Sequence, residues 1–93
     1  MEIKRGKGKF YIGESETEYI AQITFKNGGN NVIVIDHTFV DPSLRGQGVA
    51  GKLLEQVVEM ARTEGLKCVP VCSYAVVAFK RHAEYQDVLL QKE

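Results

Sequence analysis

Leu44-Arg45-Gly46-Gln47-Gly48-Val49-Ala50-Gly51-Lys52-Leu53-Leu54 joins a strand-like run to a helix-like one, and the fold is read outward from that joint. Downstream, Val49, Leu53, Leu54, Val57, Val58 and Ala61 recur at three-to-four spacing, with Lys52, Glu55, Gln56, Glu59 and Arg62 on the other side. The spacing predicts an amphipathic helix from about Gln47 to Glu64, with Gly65 as its C′ residue. Leu66 to Val71 is then a short buried strand. Its simplest placement is parallel to the β-branched run Val32–Val40, through a right-handed crossover. Upstream, Tyr19, Ala21, Ile23 and Phe25 alternate with Ile20, Gln22 and Thr24, the two-residue period of a sheet with unlike faces. Lys26-Asn27-Gly28-Gly29-Asn30-Asn31 supplies turn residues that tolerate positive φ, so this strand and Val32–Val40 form an antiparallel hairpin. Phe10–Gly13 is a short strand and Glu14–Glu18 a polar turn, whereas Asp41-Pro42 ends the ladder because proline lacks a donor. Ser73 is placed to cap a last helix carrying Val76, Val77 and Phe79 and ending near His82. The expected order is β-β-β-α-β-α. That is an α+β fold: a mixed, mostly antiparallel sheet with one β-α-β crossover and a short C-terminal helix, too few strands for a doubly wound domain.

The composition agrees with one compact domain over residues 1–93. The chain is 44% hydrophobic and 26% charged, with twelve basic and twelve acidic side chains in balance. Apart from the short Lys4–Lys9 stretch there is no basic run, which argues against nucleic acid as a partner. No stretch approaches the roughly 20 apolar residues of a membrane span, and no apolar leader is evident. Cys68 and Cys72 are too few for a disulfide scaffold and lack the two-residue spacing of redox or zinc motifs, so a cytoplasmic chain with reduced thiols and no metal is expected. A core this small leaves no interdomain cleft, so an active site must be shared with a large cofactor or a partner chain.

Glycines at the start of a helix let a ligand approach the backbone, while first-turn amides without intrahelical acceptors converge with the positive end of the helix dipole. A pyrophosphate fits such a site; the alternative is a turn that needs glycine for its shape alone. Gly46-x-Gly48-x-x-Gly51 formally matches the dinucleotide fingerprint, but Val69-Pro70-Val71-Cys72-Ser73 offers no carboxylate where the ribose would need one. The phosphate-loop motif fails as well, since Gly51-Lys52 is followed by Leu53 rather than by Ser or Thr.

Arg45-x-x-Gly48-x-Ala50 is similar to the R/Q-x-x-G-x-G/A signature of the GNAT superfamily of acyl-CoA-dependent N-acyltransferases, in the same setting between strand and helix. His37-Thr38-Phe39-Val40-Asp41-Pro42, leading into that signature, and Pro70-Val71-Cys72-Ser73-Tyr74 after it resemble the very small, single-domain members of that superfamily. The likeness runs from about Tyr19 to Val88. It implies acetyl-CoA as acyl donor, with pantetheine between Val32–Val40 and Leu66–Val71, bonded to main chain near Phe39 and Val40. It further implies pyrophosphate on the amides of Gly46, Gln47, Gly48, Val49, Ala50 and Gly51, with Arg45 beside them. Lys52, Lys80 and Arg81 are candidate partners for the 3′-phosphate. The acceptor is an amine, either a small molecule or a protein, and the chain is a monomer or a homodimer.

Two side chains are candidates for the chemistry. Cys72 stands at a strand end before a helix, where free amides favour the thiolate; the other reading is a small core hydrophobe, and the Pro-x-Cys-Ser-Tyr likeness favours a functional role. Nucleophile, base and acid all remain open for it. His37 shares strand parity with Ile35 and Phe39, so it is either a general base or a packed histidine. Cys68 reads as core, His82 as a helix end, and Tyr74 and Phe79 either wall an acceptor pocket or pack. The first functional expectation is transfer of acetyl from acetyl-CoA to an amine. A CoA-binding module without transfer is the alternative, and a structural protein associating through a sheet edge is a third.

Overall fold

In the computed structural model, which describes residues 1–91, the alternating run and its hairpin partner form the middle of a five-stranded sheet. The strands are β1 (Lys4–Gly6), β2 (Lys9–Gly13), β3 (Tyr19–Asn27), β4 (Val32–Val40) and β5 (Lys67–Pro70), in that spatial order. The first four are antiparallel, and β5 lies parallel to β4. Helix α1 (Val49–Glu64) makes the crossover, and α2 (Ser73–Arg81) follows β5. Two 3₁₀ segments, Pro42–Leu44 and Ala83–Val88, complete the order.

Ala21, Ile23, Ile33 and Ile35 bury one face of the sheet against Leu53, Leu54, Val57, Val58 and Ala61 of α1, while Ala75, Phe79, Tyr85 and Val88 close the end. This is the seam that the helical period predicted. Fully burying each aliphatic side chain contributes about 1.5–3 kcal/mol, so the packing of α1 stabilises the helix more than propensity does.

Several expectations need correction. Lys4–Gly6, read only as a basic lead-in, is a strand paired with β2, because Lys4 and Arg5 sit on an edge where charge is tolerated. Helix α1 starts at Val49 rather than Gln47, since Gly46 (φ 84°) and Gly48 (φ 71°) both take left-handed backbone. Cys72, not Ser73, is the N-cap of α2, and it makes no side-chain capping bond. Residues Ala83–Val88, unassigned from sequence, form a 3₁₀ turn that brings Leu89 beside Cys68.

The edges also bear on the expectation of sheet-edge association. In β5, the amides of Lys67 and Val71 point to β4, bonding to Asn31 and Ile35, so Cys68 and Pro70 face outward. The Cys68 carbonyl already accepts from Leu90, and Pro70 has no amide to donate. With a charged β1 on the other side, both edges are poor templates for a further strand.

Candidate active site at the glycine turn and the strand seam

Asp41 initiates the turn that delivers the chain from β4 to α1. Its carboxylate accepts from the Ser43 amide (3.0 Å) and hydroxyl (2.5 Å), and these bonds hold it below the usual carboxylate range. Pro42–Leu44 follows as a single 3₁₀ turn, and the two left-handed glycines then aim the chain into the helix. At the start of α1 the Lys52 amide is the first to find a helical acceptor, the Gly48 carbonyl. The amides of Val49, Ala50 and Gly51 therefore lack helical partners. No side chain caps them and no acidic residue lies in the first turn, so the positive end of α1 is left uncompensated by the chain itself.

A cavity of about 310 Å³ opens over this end, lined by Val40, Leu44, Arg45, Gly46, Gly48, Val49, Ala50, Gly51 and Tyr74. Most of the residues expected to bind the cofactor are thus brought together. Gln47 is exposed and does not line it, and Phe39 faces a different cavity with Tyr19 and Ile20. Tyr74, read from sequence only as an acceptor wall or packing residue, stands opposite Gly51. Burial and the neighbouring Cys72 and Glu55 push its phenol up from the ordinary value. Of the candidate cations, Lys52 lies in an adjoining cavity with Tyr74 and His82. Lys80 instead lines an apolar groove on Val69 and Leu89, away from the glycine turn, and Arg81 is exposed in the last turn of α2.

The glycines separate into two kinds. Gly46 and Gly48 have left-handed φ, which explains them by turn geometry alone. Gly51 lies within the helix without positive φ, and a Cβ there would meet nothing closer than the Tyr74 hydroxyl at 3.6 Å, an ordinary contact. Neither backbone nor packing requires glycine at that position, where it costs about 1 kcal/mol relative to alanine. What it leaves open is approach to the free amides.

The seam between β4 and β5 begins where their ladder stops. Pairing runs from Val32↔Lys67 to Ile35↔Pro70, and the Ile35 carbonyl then accepts from both Val71 (2.9 Å) and Cys72 (3.2 Å). On the other flank of β4, Thr24 faces His37 while Phe25 faces Ile35, so Asp36 is one residue too many: a β-bulge. The Thr24 hydroxyl donates to Asp36 (2.6 Å) and fixes it. The bulge breaks the parity expected from sequence. Ile35 faces the core, but beyond Asp36 it is Thr38 and Val40 that pair with the core-facing Ile23 and Ala21. His37 and Phe39 turn to the opposite face, where His37 is exposed. The likeness of His37 to Phe39 therefore holds, and its likeness to Ile35 does not.

Across the seam, Thr38 Oγ1 and Cys72 Sγ are 3.4 Å apart. Cys72 is partly buried, whereas Cys68 is fully buried and its thiol is pushed up to about 11, chiefly by loss of solvent. Thr38 was not singled out from sequence; only the bulge brings it to the thiol, and a bulge leaves no residue-type signal at Asp36.

A family model for GCN5-related N-acetyltransferases matches residues 9–88. The solution structure of a GCN5-like protein from Staphylococcus aureus is similar with a TM-score of 0.83 at 49% identity, over 99% of this chain and 90% of that one. Fold likeness extends to an Elizabethkingia anophelis GNAT acetyltransferase with acetyl-CoA bound, at TM-score 0.59 and 18% identity over 83% of this chain and 51% of that one. It extends also to nourseothricin acetyltransferase, at TM-score 0.56 and 23% identity over 78% and 46%. This chain spans about half the length of those two. No curated protein matches it in sequence. A match across nearly the whole chain, on a sheet that opens beside a glycine-led helix, places this protein in the GCN5-related N-acetyltransferase (GNAT) family.

Proposed function

We propose that the protein transfers an acetyl group from acetyl-CoA to an amine. The observation that carries this reading is the glycine-led start of α1: free amides, no internal cap, no first-turn acid, and at Gly51 an opening that neither backbone nor packing needs. A doubly charged diphosphate is the ligand such an end accepts. The amides of Gly46–Gly51 hold it, with Arg45 at the rim. Pantetheine enters the seam along the main chain of Phe39 and Val40, where β4 has parted from β5.

When bound, acetyl-CoA supplies an activated acyl carbonyl to an incoming amine. The residues of the chain orient the reactants and exchange protons. His37, exposed on the face of β4 opposite Thr38, takes a proton from the acceptor nitrogen. Cys72, at the seam, gives its Sγ proton to the departing cofactor sulfur and regains one from solvent. One proton leaves nitrogen and one reaches sulfur, and the proton His37 then releases to solvent matches the one Cys72 takes from it, so the transfer balances. Holding both reactants in the seam supplies much of the acceleration.

Calorimetric titration with acetyl-CoA and with CoA tests the site, followed by a screen of amines with detection of released thiol. Saturable binding of both ligands and amine-dependent thiol release are expected. Absence of binding at millimolar ligand overturns the proposal; binding without release for any amine reduces the protein to a CoA-binding module.

A further inference from the structure

Cys72 is the N-cap of α2, yet its thiol makes no bond to the amides of that helix. Its polar contact lies across the seam. Three features of β4 produce that contact. The Thr24–Asp36 bond (2.6 Å) holds the bulge, the bulge reverses the alternation after Ile35, and the reversal turns Thr38 toward the core side with Ile23. Meanwhile β5 ends its ladder at Pro70, and the Cys72 amide shares the Ile35 carbonyl with Val71. The backbone of Cys72 is thereby tied to β4 at Ile35 and its side chain to β4 at Thr38, 3.4 Å from Oγ1 to Sγ.

We propose that Thr38 is the positioning residue for Cys72, its hydroxyl donating to the sulfur and holding it at the mouth of the strand seam. While the thiol is neutral, either partner can donate. Once Cys72 has lost its proton only the hydroxyl can, and a hydrogen bond to an anion is the stronger kind. The contact therefore strengthens when Cys72 gives up its proton, the state in which the proposed transfer leaves it. This role rests on the proposed function for its purpose, but not for its measurement.

The test reads the thiol without any acyl-CoA. The rate of iodoacetamide alkylation at Cys72, followed by mass spectrometry of its peptide, is measured against pH for wild type, Thr38→Val and Thr38→Ser. Valine keeps the shape of threonine and removes the hydroxyl; serine restores it. For Thr38→Val the rate at neutral pH is expected to fall roughly three- to tenfold, with the rate at high pH approaching that of wild type. Thr38→Ser is expected to follow wild type. Coincident profiles for valine and wild type overturn the proposal, as does serine behaving like valine, because then the hydroxyl is not the cause. Failure of acetyl-CoA binding would sink the proposed function while leaving these profiles unchanged, so the two failures are distinguishable.

Discussion

Tyr74 and Gly51 face one another over the first turn of α1, the phenol oxygen standing 3.6 Å from where a Cβ on Gly51 would lie. Alanine fits that space and relieves a helical glycine, so Gly51→Ala is expected to stabilise the fold by about 1 kcal/mol, raising Tm by about 4–8 °C for a domain of this size. The same methyl group stands in the path to the free amides, so acetyl-CoA affinity is expected to fall. Thermal unfolding and calorimetry on one preparation check both halves. A raised Tm with unchanged affinity would mean that no ligand approaches there.

Gly48→Ala should behave in the opposite sense. No atom lies within 4 Å of a Cβ at this position, but its φ is +71°, so the cost is conformational. A loss of about 1–2 kcal/mol is expected, with Gly48→Asn less damaging because asparagine tolerates left-handed backbone. Denaturant unfolding of the two variants checks the order.

The two cysteines should separate cleanly. Cys68 is 0% exposed and its thiol is pushed up to about 11, whereas Cys72 is partly exposed. At mildly alkaline pH a thiol reagent is expected to label Cys72 in the native protein and both residues after denaturation. Peptide mapping reads the result, and rapid native labelling of Cys68 would contradict the packing.

Acid should loosen the chain end through Arg62. Its guanidinium bonds to Asp87 (2.8 Å) and to the Glu84 carbonyl (2.6 Å), and the former contact holds the Asp87 carboxyl below its ordinary 3.8. A depressed carboxylate contributes stability above its unfolded value and loses it as pH falls through the folded one. Asp87→Asn is therefore expected to lower Tm slightly near neutral pH, the difference shrinking well below pH 3.8. The effect is small because the pair is exposed. Equal Tm for both proteins near neutral pH would show that the pair contributes nothing.

Periodicity made the central elements legible. Val49 to Ala61 repeats with the spacing of a packed helix and burial follows it, whereas in Tyr19 to Phe25 the alternation marks Ala21 and Ile23 as core but Gln22 between them is buried as well. The glycine turn was legible because few structures require so many glycines at a helix start. Three things were not. Lys4–Gly6 is a strand only through β2, and two of its three residues are charged. Ala83–Val88 is held by Arg62 and Lys67 from distant elements rather than by a local pattern. The faces of His37 and Thr38 depend on Asp36, whose insertion is visible only in the register with β3.

That insertion acts as a shift of reading frame within a strand. Flattening the bulge with Asp36 kept would set Asp36 against Thr24 and slide every later position of β4 to the other side, sending His37 inward among aliphatic side chains and Thr38 out to water, away from Cys72. The proposed arrangement of His37, Thr38 and Cys72 would be dismantled with each of its side chains still in the polypeptide.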